Sequence, residues 1–285
     1  MDRKLETFLT LCQTMNYRKA SEVLHLTQPA ITKQIQSLEA QYNVKLFRYD
    51  GKKLHKTEKG RILEAHAISL RYNDAELERA MRAAPKNHLR IGATKSIGDY
   101  ILLPEIEHFL DMAENELFFA VDNTTHLLSR LEAGELDFII LEGIFDKQRY
   151  DHFLLRNEPY IGICAAGHPF SGKHIPLSAL FSQTLILREP GSGTRNILER
   201  ELAQLGYTTQ SFRKVTCISS FKLIRELVSG DYGVSFLYEA VVKGDPLFGH
   251  FFCEPLTGAH EFSVVYLKNT TAGAYARAFF RDALP

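Results

Sequence analysis

The chain has 285 residues, 45% of them hydrophobic and 24% charged. That length argues for two or three folded units. The composition, with no low-complexity tract and no uncharged apolar run of bilayer-spanning length, excludes disordered, fibrous and membrane-spanning classes. Formal net charge is zero, but residues 1–86 hold 16 Lys+Arg against 10 Asp+Glu, a segment of +6, and the remainder holds 18 against 24, a segment of −6. A basic part ahead of an acidic one suits an N-terminal unit that meets a polyanion.

The opening stretch MDRKLETFLTLCQ is charged and has no apolar signal-peptide core, so a cytosolic protein is expected. Cys12, Cys164, Cys217 and Cys253 are scattered with no CxxC pair, which predicts free thiols in a reducing compartment. Leu5, Phe8, Leu9 and Cys12 recur at helical spacing and predict a helix over 3–14. Asn16 suits the N-cap of a second helix with Ala20, Val23 and Leu24 facing inward. His25-Leu26-Thr27-Gln28 then breaks the pattern. Thr27 can cap a third helix over 29–41, with Pro29 in its first turn, where a missing N–H is tolerated and the fixed φ suits the helix. Ile31, Ile35 and Leu38 form its buried stripe. Gln28, Thr32, Lys33 and Gln36 stay on the outer side.

Two short helices joined by a tight turn, with donors at the start of the second, is the helix-turn-helix plan. Gln suits adenine, Lys suits guanine or phosphate, and Thr either a methyl or a hydroxyl contact. Residues 46–55 read as strand, turn, strand around Asp50-Gly51. Arg48, Lys52, Lys53, His55 and Lys56 would make that hairpin a basic wing for phosphates.

Residues 5–60 closely resemble the DNA-binding domain of LysR-type transcriptional regulators. The resemblance is carried by Phe8, Ala20-Ser21, the run Leu26-Thr27-Gln28-Pro29-Ala30-Ile31-Thr32-Lys33-Gln34-Ile35, Leu38-Glu39, Val44-x-Leu46-Phe47-Arg48 and Leu54-x-x-Thr57-x-x-Gly60. It implies a winged helix-turn-helix over 1–58 that meets double-stranded DNA through Lys19, Thr27, Gln28, Pro29, Ala30, Thr32, Lys33, Gln36, Arg48, Lys52 and Lys53. Lys19 would take a phosphate-binding role that is often an arginine's. Arg18 puts a charge where a small hydroxyl is common.

Residues 58–85 hold good helix formers, with Leu63, Ala67, Leu70, Asp74, Leu77 and Met81 at alternating spacings of four and three, a short heptad seam whose polar member Asp74 would set register. A linker over 59–86 is expected, ending in a hinge at Ala83-Ala84-Pro85-Lys86-Asn87. The resemblance implies that it dimerises.

The acidic remainder alternates strand and helix. Strands are expected at 89–94, 118–121 and 138–141, with helices at 98–111 and 124–133, which predicts a parallel sheet covered by helices. Ligands of such sheets bind past the carboxyl ends of the strands, here Thr94, Lys95 and Ser96, then Asn123 to Thr125, then Glu142 and Gly143. Further strands are expected at 161–164, 185–187, 213–217 and 263–267, and helices at 219–229 and 271–282. REPGSGTRNILERELAQLG, residues 188–206, places glycines and hydroxyls at a helix start, where free N–H groups and the dipole favour an anion, and Arg195 would add a bidentate clamp.

This half is also similar to the effector-binding half of the LysR-type family, in Leu89-Arg90-Ile91-Gly92, Leu131-x-x-Gly134-Glu135-Leu136-Asp137, Gly167-His168-Pro169, Glu189-Pro190-Gly191-Ser192-Gly193-Thr194-Arg195 and Gly230-x-x-Gly233-Val234. The implied fold is α/β: an effector domain over 87–285 of two Rossmann-like lobes, as in periplasmic binding proteins, with lobe I over 87–160 and 267–285 and lobe II over 161–266. The implied effector site holds Thr94, Lys95, Ser96, Thr125, Ser192, Gly193, Thr194 and Arg195. A small-molecule effector and a homo-oligomer follow from the resemblance, which favours a dimer of dimers and allows RNA polymerase as a further partner; the donors of residues 188–206 make a small anion the better fit for that effector, and no cofactor is expected. No nucleophile–base motif, HExxH or His metal spacing appears, so no enzyme and no metal site are expected.

Overall fold

The computed structural model of the protein describes residues 1–82, 87–142, 145–254 and 256–281. The chain divides into two compact units, Met1–Pro85 with Glu132–Gly134 and Leu267–Thr271, and Lys86–Leu131 with Glu135–Tyr266 and Ala272–Pro285. Among the described residues no helix is long and apolar enough to cross a membrane.

In the first unit, α1 (Arg3–Thr14), α2 (Tyr17–Leu24) and α3 (Gln28–Tyr42) pack on one another. Each start is capped by the residue type that accepts backbone N–H groups. Asn16 accepts from the Lys19 N–H at 3.1 Å and Thr27 from the Ala30 N–H at 3.3 Å, and Pro29 lies in the first turn of α3. The three helices end on left-handed residues, Met15, His25 and Asn43, which close short turns. Phe8, Leu11, Ala20, Ile31, Ile35 and Leu38 form the core. Val23, expected inside, is 60% exposed. The buried face of α2 is centred on Ala20, Ser21 and Leu24, and at 100° per residue Val23 falls on its flank.

The hairpin follows, with β1 (Phe47–Asp50) antiparallel to β2 (Lys53–Lys56) and Asp50 opposite Lys53, so Gly51-Lys52 make the turn. Glu39 anchors it to α3, accepting from the Leu46 N–H at 2.9 Å and from Lys45 Nζ at 2.6 Å. Thr57 heads α4 (Glu58–Arg82): its hydroxyl donates to the Lys45 carbonyl at 2.6 Å and accepts from the Gly60 N–H at 3.0 Å. A Cβ at Gly60 would collide with the Leu46 carbonyl, so only glycine lets α4 start this close to the wing. Helix α4 packs on α1 and β2 and buries Ala67, Ile68 and Tyr72. The hinge expected at 83–87 lies outside the described residues except for Asn87, which begins the next strand.

The second unit is built on a seven-stranded mixed sheet and a separate two-stranded parallel one. Parallel β3 (Asn87–Thr94), β4 (Asn115–Asp122) and β5 (Phe138–Glu142) form one end, β3 lying between β5 and β4. Every residue of β5 is buried, as a continuous apolar strand between neighbours should be. The expected helix 98–111 is two helices, α5 (Lys95–Tyr100) and α6 (Leu103–Leu110). Pro104 in the first turn of α6 cannot continue the α5 hydrogen-bond ladder, so the chain breaks at Ile101-Leu102 and restarts. α7 (Thr124–Glu132) leads into β5. Asp137 enters β5 under a clamp: its carboxylate accepts from the Arg90 N–H at 2.7 Å and from Arg90 Nη2 at 2.6 Å.

The sheet is not all parallel. The 16-residue β6 (Tyr150–Ala165) lies beside β11 (Gly258–Leu267), which runs antiparallel to β5. The far half of β6 pairs antiparallel with β9 (Ser235–Tyr238) and with β10 (Phe248–Phe251), a strand without a signal in the pattern reading. Past α8 (Leu177–Phe181), β7 (Thr184–Leu187) lies parallel to β8 (Lys214–Cys217), and Ile186 N–H reaches the Val234 carbonyl at 2.8 Å. α9 (Gly193–Gln204), α10 (Phe221–Ser229) and α11 (Ala272–Phe279) cover the strands. The core is continuous across them.

Candidate functional site

The outer face of α3 keeps Gln28, Pro29, Lys33 and Gln36 exposed, beside exposed Thr27 and half-buried Ala30 and Thr32. The hydroxyls of Thr27 and Thr32 are used inside the helix, Thr27 as cap and Thr32 donating to the Gln28 carbonyl at 3.1 Å. Among the described residues the side chains of Lys19, Gln28, Lys33, Gln36, Arg48, Lys52 and Lys53 make no ion pair or hydrogen bond. A helix start thus offers two amides and an ammonium to a ligand, with Arg48, Lys52 and Lys53 on the adjacent hairpin. Arg18 is not part of this surface charge, since Glu22 binds its Nε at 3.1 Å. Lys56 departs from the expected wing. Its Nζ is held between both oxygens of buried Glu64, at 2.7 and 2.9 Å, because alternate residues of β2 face α4 rather than solvent.

On α4, Leu70, Leu77 and Met81 of the heptad seam are 53%, 61% and 80% exposed. Asp74, between them, accepts from the Met1 ammonium at 2.5 Å.

In the second unit the strand ends converge on one buried carboxylate. Glu142, the last residue of β5, is 1% exposed. It accepts from the hydroxyls of Thr94 at the end of β3, of Ser96 in α5 at 3.3 Å and of Thr194 in α9 at 3.1 Å. Burial pushes this carboxyl up from its usual range, against the opposing pull of the Thr94 hydrogen bond, the Arg188 charge and the Thr194 and Ser96 hydroxyls. The start of α9 lies directly on it: a Cβ at Gly193 would stand 2.8 Å from the Glu142 carbonyl oxygen and Cγ and 3.3 Å from Thr124 Oγ1. Thr194 is fixed from behind by the Tyr160 hydroxyl, which donates to its carbonyl at 2.9 Å.

Ser192 and Thr124, heading α9 and α7, have buried hydroxyls with no hydrogen-bond partner among the described residues, and so has Nη1 of Arg188. Such orphaned buried donors are uncommon. Arg188 gives its other nitrogens to Glu189 at 2.8 and 3.0 Å and stacks on the Phe221 ring at 4.2 Å.

The expected site residues Thr94, Ser96, Gly193 and Thr194 are therefore brought together, and Ser192 sits beside them. Thr125 is exposed and faces Gly191, while its neighbour Thr124 turns inward. Lys95 reaches Glu189 at 3.3 Å and the Ser219 carbonyl at 3.1 Å. Arg195 is not a free clamp. Glu199 holds its Nε at 2.8 Å and the Arg188 carbonyl accepts from its Nη1 at 3.2 Å, because residues i and i+4 of α9 share a face. Gly143 lies outside the described residues.

Two family models match this chain: "Bacterial regulatory helix-turn-helix protein, lysR family" over residues 3–61 and "LysR substrate binding domain" over residues 82–284. The chain belongs to the LysR family of transcriptional regulators. Its relatives include the HTH-type transcriptional regulator CysL of Bacillus subtilis, 30% identical over 251 residues, which are 85% of this chain and 81% of CysL. A full-length OxyR variant from Pseudomonas aeruginosa shares the fold with a TM-score of 0.59 at 22% identity, covering 99% of this chain and 96% of that one. The CcmR regulatory domain of Synechocystis PCC6803, solved in complex with 2-PG, covers 69% of this chain and 97% of its own with a TM-score of 0.61 at 18% identity.

In this LysR-family chain the sequence reading missed Arg188, Tyr160 and Tyr238, whose ring packs edge-on against Tyr160 at 5.4 Å. Arg188 had a usable signal, because it follows β7 directly and the strand-end rule applied to 94 and 142 applies to it equally. Tyr160 and Tyr238, both fully buried, read as ordinary core aromatics, and nothing local distinguishes them. The four cysteines are free, Cys217 exposed and the other three buried.

Proposed function

We propose that the protein is a cytosolic regulator that binds operator DNA through α3 and the β1–β2 wing and is switched by a small oxyanion, acting by binding rather than catalysis. In this reading 1–58 is the DNA-binding domain and 59–86 the linker, with α4 pairing two copies and two pairs making a tetramer. The effector lies between lobe I (87–160 and 267–285) and lobe II (161–266). Gln28, Lys33 and Gln36 read base edges, while Lys19, Arg48, Lys52 and Lys53 hold phosphates.

The observation that carries the DNA half is the polar start of α3, whose Gln28 and Lys33 side chains are exposed and unengaged. Sequence selection from random duplexes with purified full-length protein tests it. Enrichment of a two-fold motif is expected, and recovery of unenriched duplexes would sink the reading.

For the effector half, support comes from the buried, unpartnered hydroxyls of Ser192 and Thr124 at two helix starts, where backbone N–H groups already favour an anion. Such a ligand shifts DNA binding only through its different affinity for two arrangements of the cleft. Thermal shifts of the full chain with acetate, sulfate, sulfite, thiosulfate and phosphate are the test. A rise in melting temperature with at least one of them is expected.

A further inference from the structure

We propose that the cleft takes up its oxyanion together with a proton, and that Glu142 is the group that receives it. The proposal rests on the effector reading above and names how that site is regulated and selected.

The geometry starts from Glu142. Its carboxylate lies against the first turn of α9 and already receives the hydroxyls of Thr94, Ser96 and Thr194. Donors left over in the same place are Oγ of Ser192, Oγ of Thr124 and Nη1 of Arg188, all buried. Three buried donors without acceptors are destabilising by themselves. An oxyanion, with several lone pairs and no donor requirement, satisfies all three. In satisfying them it would sit within hydrogen-bonding range of the elements that hold the Glu142 carboxylate.

The surrounding charges decide the rest. Arg188 and Lys95 are cations that share the one carboxylate of Glu189, which the Arg188 contacts hold below its usual range despite the opposing effect of burial. That trio is +1. Glu142 ionised brings the sum to zero; Glu142 protonated leaves +1 for an anion. Tyr160 on β6 and Tyr238 on β9 are held un-ionised by burial. His260 on β11, against the Tyr160 ring, is pushed toward its neutral form by burial. Arg195 on α9 is neutralised by Glu199. Asp99 on α5, whose carboxyl burial raises against the pull of Lys95 and Arg188, takes one more charge off those cations when ionised, which makes an ionised Glu142 beside a bound anion less favourable still. Two like charges sharing a buried site do not both ionise. The anion therefore enters as Glu142 gains a proton, and the new carboxyl O–H becomes one more donor to the bound oxyanion. No bond to the effector forms or breaks; the proton comes from solvent.

Isothermal titration of the full-length protein with the same five anions, at about pH 6, 7 and 8 and in two buffers of unlike ionisation enthalpy, tests this. In the wild type, whichever anion binds should take up protons, the number rising toward one per site as the pH climbs past the free-state pKa of Glu142, with affinity falling by up to about tenfold per pH unit above it. Glu142→Gln, which keeps the shape and supplies a permanent donor, should bind the same anion without that proton, leaving a flat pH profile for acetate, sulfate and thiosulfate and only the ligand's own titration for phosphate and sulfite. Binding without proton uptake in the wild type, or an unchanged pH slope in Glu142→Gln, would overturn the proposal while leaving the anion site standing. Failure of all five anions to bind at any pH would overturn the oxyanion reading itself, and this inference with it.

Discussion

Thr194, in the first turn of α9, donates its hydroxyl hydrogen to Glu142, the last residue of β5, at 3.1 Å across 52 positions of sequence. The bond ties a helix start on one part of the sheet to a strand end on another. Ser96 lies 3.5 Å from the same Thr194 oxygen.

The buried carboxylate sets a stability profile. Because burial raises the folded-state pKa of Glu142 above its unfolded value, the unfolded chain releases that proton first as pH rises. Wild-type stability is then lost between the two pKa values and is unaffected below both. Glu142→Gln should raise the melting temperature near pH 8, with the difference from wild type vanishing near pH 4. A melting curve independent of this substitution at high pH would show that the carboxylate is not strained by burial.

Gly193→Ala should lower stability by about 1–3 kcal/mol, since its methyl would press on the Glu142 carbonyl and side chain and on the Thr124 hydroxyl. Denaturant unfolding measures it. Gly258→Ala, where a methyl meets open space, is the control and should be near neutral.

At the DNA face, Lys33→Ala and Gln28→Ala should each weaken operator binding by about 1–3 kcal/mol if they contact bases. Thr32→Ala should weaken it less, because the Thr32 hydroxyl already serves the Gln28 carbonyl. Wild-type affinity in all three variants, measured by fluorescence anisotropy, would remove α3 from the groove.

The wing makes a sharper distinction. Each phosphate contact adds about 0.9 to the slope of log K against log salt. Lys52→Ala and Lys53→Ala should each flatten that slope by up to about one. Lys56→Ala should leave the slope alone and lower the melting temperature, because its ammonium is bound to Glu64.

On α4, Leu77 and Met81 are 61% and 80% exposed and have little packing to lose in a single chain. Leu77→Asp should therefore shift the assembly to smaller species by light scattering while leaving the secondary structure intact. Retention of the wild-type mass would exclude this face as the seam.

Much of the molecule was legible before any coordinates. Asn16, Thr27 and Pro29 announce helix starts by local chemistry alone, and each is found where that chemistry puts it. Ile31, Ile35 and Leu38 declare a face by spacing, and the strand-end rule led to Thr94, Ser96 and Glu142. These signals span a few residues, so the chain carries them whatever it later packs against.

What depended on distant partners was not legible. The pattern could not say that Lys56 faces Glu64, that Arg195 is claimed by Glu199 and the Arg188 carbonyl, or that Thr124 rather than Thr125 turns inward. Nor could it show β6 and β11 running antiparallel within a sheet expected to be parallel. Sequence by itself determined most of the helix starts and strands, because propensity, capping and hydrophobic period act locally, while the family was carried by the motifs of residues 5–60 and 89–234. Only the tertiary structure decided that Glu142 would be buried among three hydroxyls, because desolvation and long-range hydrogen bonds exist only once segments 46, 48 and 52 residues away in sequence have met it.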